Sequence, residues 1–277
     1  MTGQARVTGQ VRIASGDLVL DGVVAGPADG VTVVLLHGFP QTSWCWRGVW
    51  PVLADAGFRV VAPDLRGYSP DARPVGVEHY RMSALVDDVL AVIDHAGGPV
   101  HLVGHDWGAA IAWHTAARHP ALVRTLTAVS VPHPLAFVEA LTRDADQRRR
   151  SQYMRDWHSP DTEAAMLDGG LEQVFGGLPE VATERYLERM RQPGALTAAL
   201  AYYRAQSRAD LEGLGPVIVP TAHVWSDGDP ALGRAGAEAT AQHVTGSYRF
   251  EVLEGVGHWV PEQATDRLNA VLLQQLS

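Results

Sequence analysis

Short apolar runs alternate with amphipathic segments along most of this chain. Continuous runs rich in β-branched residues are typical of strands buried on both faces, whereas apolar residues three or four positions apart indicate helices. The runs predict an antiparallel pair of strands at 11–13 and 17–25, then strands at 31–36, 58–63, 99–103, 123–129, 217–225 and 248–253. Helical patterns occupy 44–56, 83–96, 109–118 and 264–276. Alternation of this kind predicts an α/β fold with a mostly parallel, doubly wound, eight-stranded sheet.

The middle of the chain departs from this alternation. It carries helical patterns, including 184–191 and 197–209, and no convincing strand until an apolar run returns near Val217. Such an insertion between two core strands leaves a parallel sheet intact. We therefore predict a core domain of residues 1–132 and 215–277 with an inserted helical cap of residues 133–214.

Composition and charge narrow the class of protein. Hydrophobic residues make up 46% and charged residues 19% of the 277 positions, an ordinary globular balance. The net charge of −9, with all 22 basic residues being Arg, argues against a nucleic-acid partner. No apolar run is long enough to span a membrane, the N-terminus lacks the apolar core of a signal peptide, and Cys45 is the single cysteine. These features predict a cytoplasmic protein without disulfides.

The sharpest chemical signal is the segment Gly104-His105-Asp106-Trp107-Gly108. An apolar run leads into it and a helical pattern follows, which is the context of a nucleophile held in a strained turn between strand and helix. Glycines on either side allow strand and helix to approach closely. A carboxylate at the centre can attack carbon and form a covalent ester. Taken alone, the motif also fits an Asp that only caps the helix.

Other polar or aromatic residues follow the predicted strands at the same edge of the sheet. Ligands of open α/β sheets bind beyond the carboxyl ends of the strands. Phe39, Asp106, Asp229 and His258 each come shortly after a predicted strand. The order nucleophile, acid, histidine is the chain order of α/β-hydrolase triads.

Four motifs resemble those of the α/β-hydrolase fold. They are His37-Gly38-Phe39-Pro40, Asp64-Leu65-Arg66-Gly67-Tyr68-Ser69, Gly104-His105-Asp106-Trp107-Gly108 and Gly257-His258-Trp259. Asp at the elbow points to the branch of epoxide hydrolases and haloalkane dehalogenases, and the resemblance covers nearly the full chain. It implies a hydrolase that requires neither a metal ion nor an organic cofactor.

The resemblance also implies roles for individual residues. Asp106 is the expected nucleophile, His258 the base that activates water, and Asp229 the acid that orients the imidazole. Asp227 is the alternative acid, although an Asp before Gly commonly forms a turn and the family pattern favours the second Asp.

An oxyanion hole is implied at the backbone N–H groups of Phe39 and Trp107. Because only backbone is used there, the side chains of Phe39 and Trp107 remain free to line the substrate pocket. We expect His37, at the start of the same loop as Phe39, to contact substrate as well.

Two cap tyrosines distinguish between substrates. Tyr is a weak acid with a pKa of about 10 and can donate a proton to the alkoxide formed when an epoxide opens. Epoxide hydrolases of this fold donate from two such residues, and the resemblance places them at Tyr153 and Tyr203, with Tyr202 as the alternative to Tyr203. Without that resemblance, a helical Tyr is more often a packing residue.

The predicted function is hydrolysis of a hydrophobic epoxide to a vicinal diol, with water as co-substrate and a homodimer as a possible assembly. A haloalkane dehalogenase is the alternative enzyme, but Phe39 stands where its halide-binding Asn is usual. Trp107 likewise replaces the Arg expected of a fluoroacetate dehalogenase, and an esterase would need Ser at position 106. A non-catalytic ligand-binding homologue is the alternative of a different class.

Overall fold

An eight-stranded sheet runs through the computed structural model, which describes residues 9–277. Its strands are β1 (Gly9–Ser15), β2 (Leu18–Ala25), β3 (Thr32–Leu36), β4 (Arg59–Pro63), β5 (Val100–His105), β6 (Val123–Val129), β7 (Thr221–Ser226) and β8 (Tyr248–Leu253). The order across the sheet is β1-β2-β4-β3-β5-β6-β7-β8. Only the pairs β1–β2 and β2–β4 are antiparallel. The predicted α/β fold with a mostly parallel sheet is confirmed.

The helices connect the strands and cover both faces of the sheet. The α-helices are α1 (Trp50–Asp55), α2 (Met82–Ala96), α3 (Trp107–Arg118), α4 (Pro134–Arg143), α5 (Ala145–Arg150), α6 (Gln152–Asp156), α7 (Thr162–Ala165), α8 (Leu171–Val174), α9 (Glu180–Met190), α10 (Ala195–Ala205), α11 (Arg234–Ala239), α12 (Val260–Gln263) and α13 (Thr265–Leu276). Short 3-10 helices occupy Ser43–Gly48, Pro70–Ala72, Val77–Tyr80, Pro120–Leu122, Arg208–Leu211 and Thr240–His243, and a π-helix occupies Met166–Gly170. Within residues 9–277, no helix has the length and apolar composition needed to cross a bilayer.

The centre of the sheet holds the core and fixes where the site lies. Every residue of β3 and β5 is buried. Full burial of a Val or Leu side chain contributes about 1.5–3 kcal/mol, which explains the unbroken apolar runs of these strands. The chain leaves β3 for β4 on one side and returns to β5 on the other, so the strand order reverses between β3 and β5. Ligands of doubly wound sheets bind at such a reversal, beyond the carboxyl ends of the strands.

The insertion between β6 and β7 contains helices α4–α10 and, in this fully described stretch, no strand. These helices lie within the residues 133–214 predicted for the cap. The exact division into core and cap stays a prediction. Residues 1–8 of the predicted core domain lie outside the described part of the chain.

Three of the differences from the predicted element boundaries have a local cause in the structure. The helix predicted at 44–56 is a 3-10 helix followed by α1, which restarts with Pro51 in its first turn, where a missing N–H costs nothing. The last-but-one strand starts at Thr221, because Pro220 precedes it and Val217 forms only an isolated bridge with Val244. The helix predicted at 197–209 ends at Ala205, after which a capping box starts a separate 3-10 turn.

Candidate active site

The turn between β5 and α3 holds Asp106 in a strained backbone conformation. Its φ is +52° and its ψ is −121°, a region that non-glycine residues rarely adopt and that costs about 1–3 kcal/mol. A Cβ on Gly104 would lie 2.2 Å from the Gly108 carbonyl oxygen, and one on Gly108 would lie 2.2 Å from the Leu36 carbonyl oxygen. Both glycines are therefore required by the close approach of β3, β5 and α3.

Asp106 does not use its side chain to cap α3. Instead, its Oδ1 accepts a hydrogen bond of 2.7 Å from the Phe39 backbone N–H, and the Trp107 backbone N–H also bonds to the carboxylate. The helix-cap interpretation of the motif therefore fails, because the carboxylate points toward the loop after β3. The amide groups of Phe39 and Trp107 therefore lie at the Asp106 carboxylate, at the site where the sheet order reverses.

His258 and Asp229 lie on the other side of the Asp106 carboxylate. Nδ1 of His258 is 2.7 Å from Oδ2 of Asp229, and Nε2 of His258 is 3.6 Å from Oδ2 of Asp106. The second oxygen of Asp229, Oδ1, accepts from the backbone N–H groups of Ala231 at 2.8 Å and Leu232 at 3.1 Å. Both oxygens of the buried acid are thus fixed, and the imidazole is held with Nε2 toward Asp106.

Asp227 occupies a different place from Asp229. It is exposed and accepts a hydrogen bond of 2.7 Å from the Gly255 backbone N–H, which links the turns after β7 and β8. Of the two acids that the sequence left open, only Asp229 contacts the imidazole.

Charges around His258 outweigh its burial. Burial by itself lowers the pKa of His258, but the charge and hydrogen bond of Asp229 and the charge of Asp106 raise it to about 9. Burial raises the pKa of Asp106, whereas His258 and the two backbone amides act in the opposite direction. For Asp229 the attraction to His258 outweighs burial, and its pKa is lowered.

The two expected cap tyrosines face Asp106. Tyr153 on α6 and Tyr203 on α10 line the cavities that contain Asp106, and their ring centroids lie 6.1 Å apart. The Tyr203 ring also packs edge-on against the Trp107 ring, with centroids 5.0 Å apart. Burial raises the pKa of both phenols, which keeps them protonated. Tyr202 points the other way, and its hydroxyl donates to the Arg66 carbonyl oxygen at 2.7 Å.

His37 does not contact either cavity, contrary to the expectation from its position beside Phe39. Its Nε2 accepts from the Leu65 backbone N–H at 3.0 Å, its Nδ1 bonds to the Gly38 carbonyl oxygen at 3.0 Å, and it is fully buried. Both ring nitrogens are therefore occupied, and the bond from Leu65 joins the loops after β3 and β4. The expected substrate contact of His37 is therefore wrong.

Trp157 is a wall of the site that the sequence analysis did not single out. Its ring centroid lies 4.5 Å from that of Tyr153, 4.8 Å from that of Tyr203 and 5.1 Å from that of Phe39. Arg204 donates to the Trp157 carbonyl oxygen at 3.0 Å and holds this turn in place. The available signal was its spacing of four residues from Tyr153, which puts both rings on one side of a helical turn.

Two cavities meet at the candidate site. Chamber A, of about 350 Å³, is lined by Met82, Asp106, Trp107, Ala110, His114, Val131, Pro134, Phe137, Val138, Leu141, Tyr153, Met154, Tyr203, Gln206, Ser207, Arg208, Asp210, Leu211 and Leu232. Chamber B, of about 440 Å³, is lined by Phe39, Asp106, Tyr153, Trp157, Gln173, Val174, Gly176, Tyr203, Gly228, Pro230, Ala231, Gly257, His258, Trp259 and Gln263. Within the described residues, no group of three or more His, Cys, Asp or Glu side chains is arranged to hold a metal ion.

Comparison with known proteins agrees with this architecture. The family model described as the alpha/beta hydrolase fold matches residues 31–265. The AB hydrolase superfamily protein YfhM of Bacillus subtilis is 34% identical over 271 residues, which cover 94% of each chain. Epoxide hydrolase 2 of Caenorhabditis elegans is 31% identical, over 91% of this chain and 75% of that protein. The chain belongs to the epoxide hydrolase family of α/β-hydrolases.

Solved structures of this family superpose over nearly the whole chain. The epoxide hydrolase of Bacillus megaterium in complex with an inhibitor has a TM-score of 0.88 and 27% identity, covering 96% of this chain and 99% of that one. An epoxide hydrolase from metagenomes of hot environments has a TM-score of 0.90 and 28% identity, covering 98% and 99%. The family expected from the four motifs is thereby confirmed.

The buried carboxylate of Glu262 links several segments around the candidate active site. The side chain of Glu262, only 1% exposed, follows His258 by one helical turn and pairs with Arg47. It also accepts from Gln41 Nε2 at 2.6 Å and from the Tyr186 hydroxyl at 3.1 Å. Glu262 therefore connects the loop after β3 and helix α9 to the loop that carries His258.

Glu262→Ala is expected to lower the free energy of unfolding by about 1–3 kcal/mol, because three buried or half-buried donors lose their acceptor. Urea unfolding measures this change. Glu238→Ala, which removes an exposed carboxylate paired with Arg234, is the control and should leave the unfolding midpoint nearly unchanged. Equal effects of the two substitutions would contradict a structural role for the Glu262 network.

Proposed function

We propose that this protein is an epoxide hydrolase that forms and then hydrolyses an ester on Asp106. The observation that carries the proposal is the placement of three groups around one carboxylate. Oδ1 of Asp106 is held by the Phe39 amide, Oδ2 lies 3.6 Å from His258, and the Tyr153 and Tyr203 side chains line the same cavities. Nucleophile, base and acid are thus available on separate sides of a bound epoxide.

In the first step Oδ2 of Asp106 attacks one carbon of the epoxide. A new carbon–oxygen bond forms while the ring carbon–oxygen bond breaks, and the released oxygen takes a proton from Tyr153 or Tyr203. Both phenols line the same cavities as Asp106, so either can reach the released oxygen. The product is a 2-hydroxyalkyl ester of Asp106, and the tyrosinate is reprotonated later in the cycle.

In the second step water attacks the carbonyl carbon of that ester. Nε2 of His258 takes a proton from the water, while the developing charge on Oδ1 faces the amides of Phe39 and Trp107. Collapse of this intermediate breaks the bond between the acyl carbon and the substrate oxygen, and that oxygen takes the remaining proton of the attacking water and leaves as a hydroxyl of the vicinal diol. The proton taken up by His258 returns to the tyrosinate formed in the first step. One oxygen of the regenerated carboxylate then comes from water.

Ester formation itself prepares His258 for its role. In the free protein the Asp106 charge contributes to the raised pKa of His258, which favours the imidazolium. Esterification removes that charge, so the pKa of His258 falls and the neutral imidazole becomes more populated. The neutral form of the base is thereby favoured once the nucleophile has reacted.

The same relation predicts a measurable shift. In Asp106→Asn the pKa of His258 should fall below about 9, because the attraction that favours its charged form is reduced. Asp229→Asn should lower it further, since both a charge and a hydrogen bond are lost. Titration of the imidazole by NMR measures both changes, and an unchanged or higher pKa in Asp106→Asn would contradict the coupling.

The two tyrosines are expected to act mainly on ring opening. The double variant Tyr153→Phe with Tyr203→Phe should slow ester formation by a factor of about 10²–10⁴ and ester hydrolysis by much less. Rapid-quench kinetics with intact-mass detection separate the two steps. Tyr202→Phe is the control, because the Tyr202 hydroxyl bonds only to the Arg66 carbonyl within the core. Equal slowing of both steps would rule out the acid role.

A product assay tests the function directly. Purified protein is incubated with a panel of epoxides and, in parallel, with haloalkanes, and the release of diol or halide is measured. Diol formation is expected, whereas halide release is not favoured, since Phe39 offers no side-chain donor for a halide. Halide without diol would indicate a dehalogenase, and binding without turnover would indicate a non-catalytic homologue.

A further inference from the structure

Chambers A and B extend from the same three residues, Asp106, Tyr153 and Tyr203. On the proposed function, an epoxide ring is held between this carboxylate and the two hydroxyls. Its two carbons then carry their substituents toward the two chambers. The size and polarity of the substituent that fits each chamber therefore restrict which epoxides the protein can hydrolyse.

Chamber A is built to hold an apolar group. Beyond the junction its walls come from α3, the end of β6, α4 and α6, and are dominated by aliphatic and aromatic side chains such as Val131, Phe137, Leu141 and Met154. The polar side chains of its lining include His114, Gln206 and those of the exposed turn that contains Ser207 and Arg208. An alkyl or aryl substituent would exchange water for apolar contacts along this chamber.

Chamber B contains the groups that the second step needs. His258 lies in its wall beside exposed Gln173, and the rest of the lining includes the aromatic rings of Phe39, Trp157 and Trp259. Since Nε2 of His258 lies 3.6 Å from Oδ2 of Asp106, water attacking the ester must stand on this side of the carboxylate. A bulky substituent in chamber B would occupy the space of that water.

From this asymmetry we infer that the preferred substrates are terminal epoxides with one apolar substituent, which lies in chamber A while chamber B admits the hydrolytic water. The inference rests on the proposed function. It predicts that kcat/KM rises about threefold to fourfold for each CH₂ added to a terminal epoxide until chamber A is filled. It also predicts that an isomer with substituents on both ring carbons reacts at least about tenfold more slowly.

The test uses ratios of kcat/KM between substrates on the same protein sample, so that a partial loss of folded protein cancels. The substrates are propylene oxide, 1,2-epoxyoctane and its isomer 4,5-epoxyoctane. Ala110→Phe narrows chamber A near the junction, and Val138→Trp, at a position 40% exposed, narrows it from the surface and provides a second variant that tolerates bulk. Val174→Phe is the matched change in chamber B.

We expect 1,2-epoxyoctane to be preferred over both other substrates by the unaltered protein. Ala110→Phe and Val138→Trp should reduce the ratio of 1,2-epoxyoctane to propylene oxide about tenfold, whereas Val174→Phe should leave it within about twofold. If Val174→Phe reduces this ratio and the chamber A variants do not, the substituent lies in chamber B and the inference is wrong. Equal turnover of the two epoxyoctane isomers would also overturn it. Absence of diol from every epoxide would instead refute the proposed function.

Discussion

Replacement of Asp106 with Asn should reduce diol formation by a factor of about 10⁴ or more. The amide has no charge and is a far weaker nucleophile, so the covalent route is lost, and removing a nucleophile from a catalytic unit typically has effects of this size. Because Asn preserves the shape of Asp, the amide donors of Phe39 and Trp107 should stay in place. Steady-state diol release measures the loss, and intact mass should reveal no substrate adduct.

Asp227→Asn is the matched control for this substitution. Asp227 is an exposed acid whose side chain bonds to the Gly255 backbone N–H, and it lies outside both chambers. Its replacement should change diol formation by less than about threefold, as for surface substitutions generally. Diol formation unchanged in Asp106→Asn would refute the assignment of the nucleophile.

The origin of the oxygen in the product gives an independent measure of the Asp106 step. In a single turnover in ¹⁸O-labelled water, the ester route transfers an unlabelled carboxylate oxygen to the diol and leaves the label in Asp106. Direct attack of water on the epoxide would instead label the diol. Mass spectrometry of the diol and of the peptide containing Asp106 distinguishes the two routes.

His258→Gln should trap the ester that Asp106→Asn cannot form. Without the base, ester hydrolysis is expected to slow by about 10²–10⁴, while ring opening continues because it requires only Asp106 and the tyrosines. The protein mass should then increase by the mass of the whole epoxide, located on the peptide with Asp106. A first turnover without sustained diol release should accompany the adduct.

The control for the trap is His95→Gln, at an exposed histidine in the last turn of α2. It lies outside both chambers and should neither accumulate ester nor slow diol release. A His258→Gln protein that turns over normally, or that never gains mass while Asp106 is intact, would contradict the assignment of the base.

Some parts of the fold and of the site can be predicted from the amino-acid sequence, each from a different pattern. The core strands followed from unbroken β-branched runs, because burial on both faces leaves no polar position. The turn around Asp106 could be predicted from Gly104 and Gly108. Any residue with a Cβ at either position would place that atom 2.2 Å from a backbone oxygen, so only glycine fits. Phe39 follows β3 and Asp106 follows β5, and these two strands are neighbours where the sheet order reverses. The topology of the sheet therefore brings the two residues together.

Side-chain direction was the part that the tertiary structure had to decide. Tyr202 and Tyr203 are neighbours on α10, but successive helical residues point about 100° apart, so one bonds to the Arg66 carbonyl and the other faces Asp106. Asp227 and Asp229 follow the same strand, and only Asp229 approaches the imidazole. His37, next to the Phe39 loop in sequence, turns into the core.

The α/β order, the strained turn and the types of side chain at the edge of the sheet can be predicted from the residues alone, because they depend on local patterns and on glycine sterics. The roles of Trp157 and Glu262 and the division into chambers A and B are visible only in the folded molecule. These features arise where cap helices meet core loops far away in the chain. Packing across such an interface depends on the shape of both surfaces, and no periodicity within one segment encodes it.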